Sequence, residues 1–373
     1  MRRTFFILWL ISLSSFAVLD DKYHVKDPVF DQQLSGVLQK TLEKAARIQN
    51  AENISASLYI SDRCHWEGTT GATKQDPSVL VEPNMLYGFG SITKTFVAAI
   101  VLQLVEENKL RLDEPLGKWL EKFPNIDSRL TVRQLLNHGS GLYDYVNDGD
   151  NFWSEVDANL NRVWLPEELI SLVGPPPKLG FDVPKYSNTN YILLGMIVET
   201  ATGNSLEQEL QNRIIEPLQL GSTFLAKTPF DPNRWADKRA LTSSLFSGVW
   251  AAGAIASTSH DIAKWSHTLY SGNFLQTTSL ESMLVTESRR IGKGVIQMGL
   301  GVWDLGLGGV LAWGHGGWLE YFVSRTFYLP KYELSVAYAS SGADVSLAPV
   351  PGSHLVSTYI DNKPDDISMC FDS

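Results

Sequence analysis

Ser91-Ile92-Thr93-Lys94 is the one Ser-x-x-Lys in this chain, and it stands directly after Gly88-Phe89-Gly90. A serine hydroxyl is a poor nucleophile until a base takes its proton. A lysine serves as that base when burial lowers its pKa. A spacing of three puts both side chains on one helical face, one turn apart. Ser91 then opens the helix, where unpaired backbone N–H groups and the helix dipole favour a developing oxyanion. From Ser91 to Glu107 apolar residues run nearly all round, which predicts a buried helix and a desolvated lysine. The plain alternative is a serine cap followed by a solvated lysine.

Two further triplets complete a catalytic set. Tyr186-Ser187-Asn188 offers a phenol to carry a proton between nucleophile and leaving group, and an amide to fix the lysine or a substrate amide. Tyr145-Val146-Asn147 has the same spacing, so spacing alone does not choose between them. His315-Gly316-Gly317 is the one His-x-Gly. Paired glycines let a substrate backbone lie along a strand edge. A histidine there donates a hydrogen bond or titrates near neutral pH. A glycine turn beside a satisfied histidine is the plainer account.

Rival chemistries lack their residues. The chain has no Gly-x-Ser-x-Gly, His-Glu-x-x-His, Walker A or Cys-x-x-Cys sequence. His260 and His267 flank a predicted helix and read as surface or interface residues. Neither a metal nor a cofactor is expected.

The elements that must hold these groups follow from periodicity. Residues 29–48 repeat apolar side chains at three- and four-residue steps, an amphipathic helix. Residues 56–60 and 66–71 read as strands. Short helices are predicted at 130–137, capped by Thr131, and at 166–172, 190–201, 206–215 and 258–270. Past Gly294 the texture turns to strands, at 299–303, 310–313, 321–328 and 334–340, followed by a closing helix at 354–360. The glycine pair after His315 falls between two of these strands or opens the second. Strands at both ends and helices between predict an α/β fold, an antiparallel sheet flanked by helices with an inserted, mostly helical region. On this reading residues 18–90 and 245–373 form the sheet region, 91–244 form the helical region, and the site lies at their junction.

The 373 residues carry 31 Lys+Arg against 41 Asp+Glu, a net charge of −10, which argues against nucleic-acid binding. Arg2-Arg3, an apolar run from Phe5 to Leu13, and Ser15-Phe16-Ala17 have the order of a cleavable export signal over residues 1–17. No later stretch is long and apolar enough for a bilayer span, so a secreted or periplasmic protein without a membrane anchor is expected. Export permits a disulfide between Cys64 and Cys370, the two cysteines, and two unpaired thiols fit the sequence equally well. Asn53-Ile54-Ser55 is a glycosylation sequon.

Taken in order, Ser91-x-x-Lys94, Tyr186-x-Asn188 and His315-x-Gly317 resemble the serine β-lactamase and D-alanyl-D-alanine carboxypeptidase superfamily. The closest likeness is to its class C-like branch, which includes D-aminopeptidases and esterases. Leu135-Leu136-Asn137-His138-Gly139-Ser140-Gly141-Leu142, the segment from Asn188 to Gly195, and Ala252 to Thr258 carry the same likeness, and this context selects Tyr186 over Tyr145. The resemblance implies Ser91 as acylated nucleophile, Lys94 as its base, Tyr186 as proton relay and Asn188 as the group orienting Lys94 and the substrate amide. It places the oxyanion between the backbone N–H groups of Ser91 and Trp318, with Gly317 on the substrate-binding strand. His315 takes the place of a lysine that pairs with substrate carboxylate in β-lactamases. The implied activity is hydrolysis of amides or esters in a small molecule or peptide, with D-Ala-type carboxypeptidase or D-peptidase first, then esterase, then β-lactamase. A non-catalytic penicillin- or peptidoglycan-binding sensor is the reading of another class.

Overall fold

The sheet is built from both ends of the chain, as the placement of the strand signals predicts. The computed structural model describes residues 29–177, 183–227, 231–239, 241–307, 309–347 and 349–371. The expected export signal at 1–17 lies outside them. Among the described residues eight strands form one antiparallel sheet. These are β1 (Asn53–Ser61), β2 (Cys64–Gly71), β6 (Glu287–Ile291), β7 (Gly294–Met298), β8 (Trp303–Asp304), β9 (Trp313–Leu319), β10 (Phe322–Leu329) and β11 (Leu334–Ser341). Their order is β2-β1-β11-β10-β9-β8-β7-β6. A small second sheet orders β3 (Tyr87–Gly88), β5 (Ile255–Ser257) and β4 (Phe224–Leu225).

Central strands β1 and β11 are buried almost end to end because both faces are covered. Helices α1 (Gln32–Gln49) and α11 (Pro349–Asn362) pack together over one face, where Leu38, Leu42, Leu355 and Tyr359 meet Leu58 and Val336. Helix α9 (Ser259–Tyr270) covers β1, β10 and β11 on the other. The stretch between β3 and β5 carries α2 (Thr93–Glu106), α3 (Val132–Leu136), α4 (Asn151–Ala158), α5 (Pro166–Ser171), α6 (Thr189–Thr202), α7 (Leu206–Leu210) and α8 (Ser243–Gly253), and α10 (Thr277–Leu284) precedes the β6–β7 hairpin. Helices α2, α6 and α8 pack on one another and put the start of α2 against β9 and β10.

Local chemistry explains the boundaries. Thr131 and Gln134 form a capping box at α3, Thr258 caps α9, and Gly203 ends α6 in the left-handed conformation. A disulfide joins Cys64 on β2 to Cys370 near the end of the described chain. Asn53 is fully buried and its amide donates to Ala72 O and Ala236 O, so the folded protein does not present its sequon. No helix among the described residues is long and apolar enough to cross a membrane.

The late strands differ from expectation. His315-Gly316-Gly317 lies inside β9, not in a turn or at a strand start. The strand expected at 299–303 shrinks to β8, and that expected at 310–313 begins only at Trp313. Helices α4, α8 and α10 and the β6–β7 hairpin had no clear sequence signal.

Candidate active site

Ser91 sits in a 3-10 turn, Gly90–Ile92, that delivers the chain from β3 into α2. Gly90 has φ +53°, and a Cβ on it would lie 2.6 Å from Trp318 O and 2.8 Å from Trp318 N. A side chain is therefore excluded on two counts, conformation and space. Thr93 locks the turn: its hydroxyl donates to Gly90 O at 2.7 Å and accepts from Ile255 N–H at 2.9 Å.

Lys94 is fully buried. Its Nζ lies 2.8 Å from Asn188 Oδ1, 2.6 Å from Ala252 O and 3.0 Å from Ser91 Oγ. Two of these partners are carbonyl oxygens that can only accept. They take two N–H bonds, and the remaining direction points at Ser91 Oγ. Burial lowers the Lys94 pKa from 10.5 to about 7, with the Asp144 carboxylate pulling it partly back up. In the neutral amine the third direction is a lone pair aimed at the serine hydroxyl. Ala252 O is available to Lys94 because it lies in the last turn of α8, where carbonyls have no partner further along the helix; α8 also departs from helical geometry at Trp250, with φ 27° and ψ −118°.

Tyr186 stands on the other side of the nucleophile, its hydroxyl donating to Ser91 Oγ at 2.9 Å. Burial raises its pKa well above the ordinary tyrosine value, so it is a phenol at neutral pH. The His138 ring stacks on it with centroids 4.0 Å apart. His138 Nδ1 accepts from Ser187 N–H at 3.2 Å, and burial depresses its pKa, so this ring is a neutral platform. Asn188 Nδ2 donates to both Asp144 carboxylate oxygens at 3.1 Å, which turns its Oδ1 toward Lys94. His138 and Asp144 were not singled out as functional groups from sequence. His138 lies within the Leu135–Leu142 motif, but a stacked platform and an amide-orienting carboxylate leave no mark in spacing.

Strand β9 closes the site. A Cβ on Gly317 would lie 2.0 Å from Phe89 O and 2.3 Å from Ser324 Oγ, and Ser324 itself donates to Phe89 O at 2.9 Å. Glycine here lets the strand touch the turn that bears Ser91. A Cβ on Gly316 would meet the Trp303 ring at 2.9 Å. The Trp318 backbone thus lies against Gly90. Strand β8 pairs only with Trp313 and Gly314, so the β9 edge from His315 to Leu319 has no strand partner among the described residues.

His315 corrects the expectation of a titrating carboxylate anchor. Its ring is fully buried, 4.1 Å from the Trp303 ring centroid, and Nδ1 contacts Gly316 O at 2.5 Å. Burial and the Lys94 charge push its pKa down to about 3, so it is neutral at working pH. A neutral, buried imidazole supplies no cation to a substrate carboxylate. The cleft above Ser91, about 650 Å³, is lined instead by Lys185, Arg290 and Arg325, and Lys185 is paired with Asp148. Trp153 and Trp318, with ring centroids 5.7 Å apart, give the cleft an aromatic wall.

Residues 38–350 match the family model described as Beta-lactamase. The fold is similar to a D-stereospecific amidohydrolase from Streptomyces sp., with 29% identity and TM-score 0.70 over 84% of this chain and 97% of that one. It is also similar to the D-amino acid amidase of Ochrobactrum anthropi SV3, solved with D-phenylalanine, with 23% identity and TM-score 0.75 over 88% of this chain and 100% of that one. Among curated proteins, penicillin-binding protein 4* of Bacillus subtilis (strain 168) is 25% identical over 242 residues, 58% of this chain and 51% of that protein. The teichoic acid D-alanine hydrolase of Staphylococcus aureus is 25% identical over 218 residues, 57% and 48%. The chain spans about half the length of these two curated relatives.

Proposed function

The chain belongs to the Beta-lactamase family, and on that premise we propose that it is an exported serine hydrolase that cleaves amides or esters of D-amino acids through an acyl-enzyme on Ser91. The observation that carries this reading is the convergence of Lys94 and Tyr186 on Ser91 Oγ, at 3.0 and 2.9 Å, with Lys94 depressed to about 7. Neutral Lys94 takes the Ser91 proton as Oγ bonds to the substrate carbonyl carbon. The carbonyl oxygen gains the negative charge between the backbone N–H groups of Ser91 and Trp318. When the tetrahedral species collapses, the bond to the leaving group breaks and the Tyr186 O–H hands that group a proton. The Lys94 ammonium then returns a proton to the tyrosine oxygen. Water repeats the sequence on the acyl-enzyme, restoring the serine and releasing the acid. The unpaired β9 edge holds the substrate amide, while Asn188, engaged by Lys94 and Asp144, orients the lysine rather than the substrate.

The D-amino acid part rests on the names of the similar amidohydrolase, amidase and D-alanine hydrolase. The buried, neutral His315 moves the preference from a carboxypeptidase, which must hold a free carboxylate, toward amides, peptides and esters with an uncharged leaving side. Cleavage of D-Ala-terminated peptides is the second reading, favoured by Arg325 on the cleft wall. Export is supported by the residue 1–17 signal and by the Cys64–Cys370 disulfide.

The experiment is a matched panel of D- and L-amino acid amides, their esters and a D-Ala-terminated peptide, with intact-mass and peptide mapping after a fluorophosphonate. The reading expects the adduct on Ser91 and a kcat/KM preference for D over L. An adduct elsewhere overturns the mechanism, and equal turnover of both enantiomers overturns the substrate class.

A further inference from the structure

At the far edge of the sheet, strand period and helix docking bring three metal-binding side chains together outside the cleft. His65 and Glu67 are two apart on β2, so both project from the same face. Their neighbours Cys64 and Trp66 face the opposite core with α1. His260, in the first turn of α9, comes down on that pair across 195 residues of sequence. Glu67 Oε1 lies 4.0 Å from His65 Nε2 and 3.7 Å from His260 Nδ1, and the three ligand atoms all fall within 4.8 Å of one another. The His65 and His260 rings meet edge to face at 4.7 Å, and the Tyr59 ring backs both. Lys264, one turn along α9, is engaged by Asp62 at 2.8 Å, and Asp62 also accepts from the Tyr59 hydroxyl.

We propose that His65, Glu67 and His260 form a zinc site that ties edge strand β2 to helix α9. Two imidazoles and one carboxylate suit zinc rather than calcium or magnesium, which take oxygen ligands. Zinc bonds of about 2.0–2.2 Å set tetrahedral ligand atoms roughly 3.3 Å apart. The present separations close to that value by rotation of side chains that are a quarter to a third exposed. The same exposure leaves a water as the fourth ligand. The site's role is structural, because its ligands belong to the sheet edge and to α9 rather than to the cleft.

The test uses the full chain without a histidine tag, stripped of metal, and titrated with Zn²⁺ against a chromogenic chelator. One equivalent per chain is expected. His260→Gln and Glu67→Gln should each weaken it by at least about tenfold, and Ser91→Ala should bind as the parent does. Co²⁺ should give visible absorption bands in the parent that both variants lose. Parent binding no tighter than that of a His65→Gln/His260→Gln protein overturns the proposal. Should that double variant fail to fold, Glu67→Gln with unchanged circular dichroism is the comparison, and undiminished binding there overturns it equally.

Discussion

Replacing Gly317 with alanine tests whether the contact between β9 and the Ser91 turn positions the reaction. The new Cβ would sit 2.0 Å from Phe89 O, about 1.4 Å short of the 3.4 Å at which ordinary contact begins. The obstacle is backbone carbonyl, so no side chain can swing away. The strand, the turn or both must move by roughly an ångström, and the Ser324 bond to Phe89 O breaks with them. The backbone N–H groups of Ser91 and Trp318, the proposed oxyanion donors, sit on the two segments forced apart. Losing one such donor costs about 100- to 1,000-fold in kcat. Overpacking itself costs about 1–3 kcal/mol of stability, leaving a folded protein to assay. Gly316→Ala is the control, because its Cβ meets the edge of the Trp303 ring at 2.9 Å, away from Phe89. The assay is kcat on an activated ester, with the fluorophosphonate labelling rate of Ser91 and calorimetric Tm for both variants. Gly317→Ala should lose rate and labelling together, and Gly316→Ala about tenfold less. A Gly317→Ala protein with kcat within about threefold of the parent and an unchanged Tm would refute the reasoning.

Other perturbations follow from the same contacts. Lys94→Met keeps the buried volume and removes the proposed base, so kcat should fall by about 100- to 10,000-fold. The substitution loses the bonds to Asn188 Oδ1, Ala252 O and Ser91 Oγ and leaves two buried acceptors unpaired at about 1–3 kcal/mol each, so the unfolding free energy should fall by a few kcal/mol while the protein still folds; chemical denaturation measures this. His315→Gln should leave no change in the pH profile between about pH 6 and 8, since the ring already titrates at about 3; a limb that vanishes there would restore the carboxylate-anchor role. Reduction of Cys64–Cys370 opens a closure of 306 positions and should cost about 2–5 kcal/mol, read from denaturant midpoints with and without reductant.

The part of the site that lies on a long apolar run was legible. Helix α2 is apolar all round, and that pattern alone buries Lys94 beside Ser91. Helix α1 carries regular three- and four-residue steps, Gly203 marks the end of α6, and Thr258 marks the start of α9. Elsewhere the physics overrode the pattern. Strands β6 and β7 are half-exposed and rich in Ser, Arg and Gln, so alternation is weak. Helix α8 is buried on all sides and broken at Trp250, which erases any period. Glycines at 314, 316 and 317 disguised β9 as a turn, because glycine signals turns in sequence while here it serves close backbone approach. That misplacement also hid the burial of His315 and with it the loss of its charge. The cluster of His65, Glu67 and His260 joins a strand edge to a helix that no sequence spacing connects.

The central claim is that a neutral, buried Lys94 activates Ser91, and the pH dependence of kcat/KM on an uncharged ester tests it most directly. A lysine whose folded pKa is lowered loses its proton above that pKa, so activity should rise with pH through a limb centred at about 7. The same limb should govern the rate at which a fluorophosphonate labels Ser91, and it should be absent in Lys94→Met. A limb at the ordinary lysine value near 10.5, or a limb at about 7 that survives in Lys94→Met, would contradict the account.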